Sequence, residues 1–165
     1  MNILFIQTGG TIDKDYPTEG VAYDFIIAKP AFDRILNIVN PSFEYRSLEL
    51  LKKDSTDLTN EDRELIKKTC QEASEDYIVL THGTDTMADT ACMLDEIKGK
   101  TIVITGSMRP ERFANSDASF NIGTAVGALP ALKPGVYLAM SGRVLPWRSL
   151  HKDYTQGKFV EQDIG

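Results

Sequence analysis

The sequence has few of the residues that hold metal ions or build disulfide frameworks. Among 165 residues it has two cysteines, Cys70 and Cys92, and two histidines, His82 and His151. Neither pair has the spacing of a zinc site, in which ligands come in close pairs. Both cysteines fall in segments with a helical pattern, and we interpret them as reduced, structural thiols of a cytoplasmic protein. We therefore expect no bound metal.

Positive charge and long apolar runs are also scarce. The 18 Lys and Arg residues stand against 24 Asp and Glu, for a net charge of -6. Because the basic residues form no cluster, we expect no nucleic-acid partner. No apolar run is long enough to span a membrane. The apolar segment 1–7 lacks a basic leader and a cleavage site, so we interpret it as part of a first strand.

Short apolar runs alternate with helical patterns through most of the chain. With 42% hydrophobic residues, the chain is long enough to bury one core. The patterns predict strand 3–8, helix 30–39, strand 43–48, helix 59–73, strand 77–80, helix 85–97, strand 101–105, helix 115–129 and strand 135–140. This order predicts a single-domain α/β fold with a doubly wound, mostly parallel sheet and helices on both faces.

Two segments do not fit this alternation. The polar stretch 13–23 contains Pro17 and Gly20, which predicts a loop and a candidate lid directly after the first strand. Over residues 143–165 the periodicity is weak, apart from a possible short strand around Phe159. This tail is either a surface arm or part of a functional site, and periodicity does not decide between them.

Two threonine-rich turns indicate where a site would lie. Thr8-Gly9-Gly10-Thr11-Ile12 follows strand 3–8, and Thr81-His82-Gly83-Thr84-Asp85-Thr86 follows strand 77–80. Open α/β sheets bind ligands at the edge where their strands end. Glycine lets the backbone approach a small substrate, and threonine supplies hydrogen bonds and potential nucleophiles. The two turns therefore predict a compact polar pocket.

A threonine hydroxyl attacks a carbonyl only when a base takes its proton and donors hold the carbonyl oxygen. Backbone N–H groups of a Gly-Gly turn can be those donors. The candidate proton carriers are Lys152, Asp85, Tyr16 and Tyr23, of which a lysine desolvated beside an aspartate is well suited. Asp85 is also suited to bind an ammonium group, which points to amino-acid-like ligands.

Each turn also has a purely structural explanation. Thr-Gly-Gly-Thr is a common strand-to-helix turn, and the segment 84–86 can cap a helix that has an acidic first turn. We interpret His82 as a hydrogen-bonded structural residue rather than a base. The two turns together, at neighbouring strand ends, favour a functional site.

Three motifs in order resemble the signatures of the bacterial-type L-asparaginase family. They are segment 8–12, segment 82–87 and Gly106-Ser107-Met108-Arg109-Pro110, and the resemblance extends from the first strand to the tail. It implies hydrolysis of the side-chain amide of L-asparagine to aspartate and ammonia without a cofactor. L-Glutamine is implied as a weaker substrate and a homodimer as the favoured assembly.

The resemblance also implies roles for individual residues. Thr11 matches the family's nucleophile, and Thr84, Asp85 and Lys152 match its Thr-Asp-Lys proton relay. The tyrosine that activates the nucleophile is either Tyr16, which is nearer Thr11 and is preferred, or Tyr23, which is placed more like the family tyrosine. Ser55 matches the residue that binds the substrate's α-carboxylate. The full substrate-binding set is Gly10, Tyr23, Ser55, Thr56, Gly83, Thr84 and Asp85.

The sequence departs from the family in size. Family members usually carry a second, carboxy-terminal domain, and this chain ends roughly where that domain would begin. It resembles either a short-chain asparaginase or an amino-terminal half, and its ordinary composition favours the first, with residues 1–165 as one catalytic domain. An amidase subunit that supplies ammonia to a transamidation partner and a non-catalytic amino-acid sensor are the alternatives. The retained Thr11, Thr84 and Lys152 argue against the sensor.

Overall fold

The computed structural model describes residues 1–20 and 24–162. Its strands are β1 (Asn2–Gly9), β2 (Lys14–Asp15), β3 (Ile26–Ile27), β4 (Glu44–Lys53), β5 (Tyr77–Thr81), β6 (Thr101–Thr105), β7 (Gly135–Met140), β8 (Arg143–Pro146), β9 (Leu150–Asp153) and β10 (Lys158–Glu161). Its α-helices are α1 (Ala31–Val39), α2 (Asn60–Glu72), α3 (Met87–Leu94) and α4 (Ala118–Ala128). Short 3-10 turns lie at Thr11–Asp13, Ser55–Asp57, Leu129–Ala131 and Trp147–Ser149.

The main sheet has six strands in the order β4-β1-β5-β6-β7-β8. The first five run parallel, and β8 joins the edge antiparallel to β7. From β1 the chain moves outward to β4 and then returns past β1 to β5, so the winding direction reverses between β1 and β5. Such a reversal opens a crevice at the carboxyl ends of the two strands. The predicted doubly wound, mostly parallel sheet is confirmed.

Apolar residues of the central strands alternate between two cores. In β1, Leu4 and Ile6 belong to a core that includes residues of α2 and α3, whereas Ile3 and Phe5 belong to one that includes residues of α1 and α4. All four side chains are fully buried, because a parallel sheet covered on both sides presents no face to water. The prediction of helices on both faces is confirmed.

The residue at which a helix begins depends on which acceptors bond to the backbone N–H groups of its first turn. In α2, Thr59 and Asp62 form the reciprocal capping box that the acidic first turn suggests. The predicted helix 115–129 begins only at Ala118. The carboxylate of Asp117 instead accepts hydrogen bonds from the backbone N–H groups of Met108 and Arg109, which ties the start of α4 to the loop after β6.

The predicted loop over 13–23 is wrong at its start. Asp13 ends a 3-10 turn, and β2 pairs antiparallel with β3. Asp13 is fully buried, and its Oδ1 accepts a hydrogen bond of 2.7 Å from the backbone N–H of Ala31, the first residue of α1. This hydrogen bond satisfies one of the first N–H groups of α1, which lack partners within the helix.

The tail forms regular structure despite its weak periodicity. Beyond β8, strands β9 and β10 pair as an antiparallel hairpin, which confirms the short strand expected around Phe159. Each strand has only four residues, too few for a clear alternation of apolar and polar positions.

The two cysteines differ in environment. Cys70 is buried in α2 and Cys92 is exposed on α3, both as free thiols. Burial raises the pKa of the Cys70 thiol to about 12, in agreement with an inert structural role. The expected structural role is thus supported by burial only for Cys70.

None of the helices in the described ranges has both the length and the apolar character needed to cross a bilayer.

Asp13→Asn is expected to reduce the pH dependence of stability. Burial raises the pKa of Asp13 from 3.8 to about 7, so between these values the folded protein keeps a proton that the unfolded chain has lost. The free energy of unfolding should therefore fall as pH rises from 4 to 7, by about 1.4 kcal/mol per pH unit. Asparagine stays neutral and removes this contribution. Urea unfolding at several pH values measures the difference.

Asp24→Asn is the matched control, because it removes an exposed carboxyl that is not among the groups that shift the pKa of Asp13. Its unfolding free energy should keep the fall between pH 4 and 7 that Asp13 causes. The same fall in Asp13→Asn would contradict the assignment of Asp13 as the buried titrating group.

Candidate active site

The two threonine-rich turns meet through the backbones of Gly10 and Gly83. A Cβ atom on Gly10 would lie 2.4 Å from both Cα and N of Gly83, and Gly10 has a φ of +87°. Below them, the Thr8 hydroxyl donates a hydrogen bond of 2.7 Å to the carbonyl of Thr81. Position 10 requires glycine because the Cβ of any other residue would overlap the backbone of Gly83. Thr11 and Thr84 follow these glycines directly and are therefore carried on adjoining turns.

A third loop, after β4, joins the same contact. A Cβ on Gly83 would lie 2.7 Å from both Cβ and Oγ of Ser55, and Ser55 is buried. The N–H of Gly10 donates to the carbonyl of Lys53 at 3.0 Å, and the hydroxyl of Thr86 donates to the carbonyl of Ser55 at 2.7 Å. The structure thus brings Gly10, Ser55 and Gly83 together as expected.

The tail hairpin completes the cluster with Lys152 from β9. Its Nζ donates to Oγ1 of Thr84 at 2.8 Å and to Oδ1 of Asp85 at 2.7 Å. The ammonium group beside Asp85 holds the pKa of that carboxyl below its usual value. Of the two sequence-based interpretations of the tail, this geometry supports the second, that it is part of the site.

Two other predicted residues, Tyr16 and Thr56, are not brought into this cluster. Tyr16 is 59% exposed, and its ring packs on Phe25 with centroids 4.8 Å apart. Within residues 1–20 and 24–162, its hydroxyl makes no hydrogen bond with Thr11. Thr56 is exposed beside Ser55. Tyr23 lies outside the described residues, so the choice between the two tyrosines stays a prediction.

His82 is confirmed as a hydrogen-bonded structural residue. It is fully buried, its Nδ1 lies 2.8 Å from the carbonyl of Gly83, and its Nε2 lies 2.8 Å from the hydroxyl of Thr90. Burial lowers the pKa of His82 to about 4, so the ring is neutral at pH 7. Because a carbonyl only accepts, Nδ1 carries the proton and Nε2 accepts from Thr90. The ring thereby fixes the turn that carries Thr84.

The third motif supports the second turn from behind. A Cβ on Gly106 would lie 2.3 Å from the carbonyl oxygen of His82, and the N–H of His82 donates to the carbonyl of Thr105 at 2.9 Å. Asn121 of α4 donates from Nδ2 to the carbonyl of Gly106 at 3.0 Å. The end of β6 and the loop that follows it therefore hold the His82 turn in position.

One residue at the site was missed by the sequence reasoning. The hydroxyl of Tyr154 donates to Oδ1 of Asp85 at 3.2 Å. Tyr154 belongs to no periodic pattern and is placed by the hairpin turn, so no sequence signal identified it beyond its position two residues after Lys152.

The family model described as "Asparaginase, N-terminal" matches residues 2–158. The chain belongs to the asparaginase family. An L-asparaginase from Thermococcus kodakarensis is 33% identical over 173 residues, covering 99% of this chain and 51% of the relative. A glutaminase-asparaginase from Pseudomonas aeruginosa is 31% identical, covering 92% of this chain and 45% of the relative.

Two further comparisons extend the family relationship. The solved thermostable L-asparaginase from Thermococcus kodakarensis superimposes with a TM-score of 0.83 at 30% identity, covering 98% of this chain and 51% of that one. A component of the glutamyl-tRNA(Gln) amidotransferase from Methanococcus vannielii is 34% identical over 152 residues, covering 87% of this chain and 35% of the relative. The chain spans about half the length of the curated asparaginases it matches.

Gly10→Ala is expected to destabilise this asparaginase-family chain more than Gly99→Ala does. Both glycines have positive φ, but a Cβ on Gly99 meets open space whereas one on Gly10 meets the backbone of Gly83. The control should lose about 1–2 kcal/mol, which is the cost of the left-handed conformation. Gly10→Ala should lose roughly 3 kcal/mol or more, because overpacking is added. Urea unfolding measures both, and equal losses would show that the turns do not depend on their backbone contact.

Proposed function

We propose that this chain is the catalytic domain of an amidohydrolase that converts L-asparagine to L-aspartate and ammonia. The observation that carries the proposal is the contact of Lys152 with Thr84 and Asp85, at 2.8 and 2.7 Å. It occurs in a member of the asparaginase family and beside the turn that bears Thr11. The Lys152 side chain is only 15% exposed, and a shielded lysine held against a threonine hydroxyl and a carboxylate is suited to proton transfer.

In the proposed reaction, Thr11 is the nucleophile. Its hydroxyl oxygen bonds to the side-chain amide carbon, the C–N bond breaks, and ammonia leaves with the proton that the hydroxyl gave up. Water then cleaves the ester, which releases aspartate and restores the hydroxyl. Thr11 starts a 3-10 turn directly after Gly10. Because the N–H groups of Gly10 and Asp13 bond to backbone carbonyls, those of Thr11 and Ile12 are the ones proposed to hold the carbonyl oxygen.

The second threonine is proposed to act with Lys152 and Asp85 as a relay. Lys152 Nζ exchanges a proton with the hydroxyl of Thr84, and Asp85 stabilises the ammonium form of the lysine. Thr84 can then take a proton from the attacking water in the second step. The hydrogen bonds from Nζ to both partners support this role.

The charged ends of the substrate are proposed to bind at Ser55 and Asp85. Ser55 lies against Gly83. A substrate carboxylate that accepts a hydrogen bond from the Ser55 hydroxyl would therefore lie beside the turns of Gly10 and Gly83. Within the described part of the chain, Asp85 uses Oδ1 for both of its hydrogen bonds, which leaves Oδ2 for the substrate ammonium group. The two contacts together favour an α-amino acid of short side chain.

A second candidate function is that of an amidase subunit that supplies ammonia to a transamidation partner. The similarity to a component of the glutamyl-tRNA(Gln) amidotransferase favours it. Hydrolysis of free L-asparagine by the purified chain supports the first candidate. Release of ammonia from L-glutamine only, and no release from L-asparagine, would support the second.

The assembly, domain extent and location that we predicted from the sequence also stay proposals. We propose a cytoplasmic homodimer in which the domain formed by residues 1–165 is catalytically active. An apolar groove of about 220 Å³ lies between α1 and α4, and Ile38, which lines it, is 82% exposed, so we propose this face as the one that a second copy covers. Light scattering measures the mass in solution.

Thr11→Ala is expected to abolish ammonia release from L-asparagine while the protein stays folded, because a half-buried turn hydroxyl contributes little to stability. The matched control is Thr18→Ala, an exposed threonine in the same segment, which should keep wild-type turnover. Ammonia release and circular dichroism are compared for all three proteins. Substantial turnover by Thr11→Ala would remove Thr11 from the mechanism, and a folded but inactive wild type would favour the sensor.

Lys152→Met is expected to lower kcat about 10²–10⁴-fold, since it removes a general base while keeping a side chain of similar length. KM should change little, because Lys152 is proposed to contact Thr84 and Asp85 rather than the substrate. Lys158→Met, on the exposed face of the neighbouring strand β10, serves as the control for charge removal from the hairpin. A kcat that falls equally in both variants would indicate damage to the hairpin instead of a relay.

A further inference from the structure

Tyr154 contacts both charged members of the Lys152–Asp85 pair. Its hydroxyl donates to Oδ1 of Asp85 at 3.2 Å, the oxygen that also accepts from Lys152 Nζ at 2.7 Å. Its ring centroid lies 4.9 Å from the same Nζ, within the range of a cation–π contact. One side chain thus donates to the anion and presents its aromatic face to the cation.

The hairpin turn determines the place of Tyr154. The carboxylate of Asp153 accepts from the backbone N–H of Thr155 at 2.8 Å and from that of Gln156 at 3.1 Å, and also from the side chains of both residues. Gly157 completes the turn with a φ of +62°. An aspartate that closes its own turn in this way holds the next residue in a defined direction. Tyr154 is therefore ordered by local hydrogen bonds although it is 69% exposed.

The two contacts act on the ion pair in different ways. A hydroxyl that donates to a carboxylate stabilises the anion, and Asp85 then depends less on Lys152 for its charge. The ring covers the ammonium group, and the Lys152 side chain is only 15% exposed while that of Asp85 is 45% exposed. Since Lys152 lies on a surface hairpin, the ring gives it shielding that the backbone alone does not provide.

We propose that Tyr154 is a positioning residue of the relay, which holds Lys152 Nζ against Thr84 and stabilises the carboxylate of Asp85 with a hydrogen bond. This inference rests on the proposed function, in which Lys152 exchanges a proton with Thr84. Tyr154 itself exchanges no proton and acts only through its contacts with Lys152 and Asp85. Its hydroxyl and its ring make separable contributions, so two variants distinguish them.

The experiment compares Tyr154→Phe, Tyr154→Leu and the control Tyr137→Phe. Tyr137 donates its hydroxyl to the carbonyl of Lys133, at the opposite end of β7 from the site, so its loss should leave turnover unchanged. Tyr154→Phe removes only the hydrogen bond and should lower kcat several-fold, up to about tenfold. Tyr154→Leu also removes the ring and should lower kcat further. KM for L-asparagine should change less than kcat in both, and the pH profile of kcat should shift in Tyr154→Phe but not in Tyr137→Phe.

A titration of Asp85 by carboxyl ¹³C NMR gives a readout that does not need turnover. The pKa of Asp85 is held down by Lys152 first and by Tyr154 in addition, so Tyr154→Phe should raise it and Tyr137→Phe should not. An unmoved Asp85 titration would overturn the contact. An active wild type whose kcat and pH profile are unchanged in both Tyr154 variants would overturn the role of Tyr154 alone. A wild type inactive on L-asparagine would overturn the proposed function and the relay role together.

Discussion

The structure depends on the close approach of two backbone turns, after β1 and after β5, at the point where the winding direction of the chain reverses. Gly10 and Gly83 approach so closely that a Cβ on Gly10 would lie 2.4 Å from the other chain segment. Since β1 and β5 are adjacent parallel strands, their two turns leave the same edge, and only glycine lets them touch. Ser55 joins from the third loop. This contact puts Thr11 and Thr84 on adjoining turns through backbone packing.

The rest of the fold keeps that contact in place. The neutral ring of His82 bonds to the carbonyl of Gly83 and to the hydroxyl of Thr90, so the second turn is tied to α3. On the other side, the buried carboxyl of Asp13 bonds to the first N–H of α1 and ties the first turn to that helix. Each turn is therefore anchored to a different face of the sheet, as the doubly wound topology requires. A polar site at the edge is held by buried polar groups behind it.

The parts of the fold that were predictable from the sequence are those whose burial is complete. Strand 101–105 was predicted with the bounds it has, because a strand buried on both faces is a continuous apolar run. The loop predicted over residues 13–23 was wrong at its start, Asp13. A buried carboxyl group in a polar stretch gives no local sequence signal for the helix that it contacts. Lys152 was one of four candidate proton carriers, and only the family resemblance assigned it to a relay with Thr84 and Asp85. Tyr154 was missed because its contact with Asp85 spans 69 residues and arises from hairpin geometry rather than from any local pattern.

The exposure of the ion pair agrees with the division of labour in the proposed mechanism. Lys152 is shielded and Asp85 is open, with side-chain exposures of 15% and 45%. A group that carries protons benefits from exclusion of water, because bulk water competes for the proton and screens the charges. A group that receives a charged substrate must instead be reachable. If the hairpin only covered the sheet edge, the more strongly solvated ammonium group would be expected to face water. The reverse order agrees with a tail that presents Lys152 inward to Thr84 and leaves the carboxylate of Asp85 open to solvent.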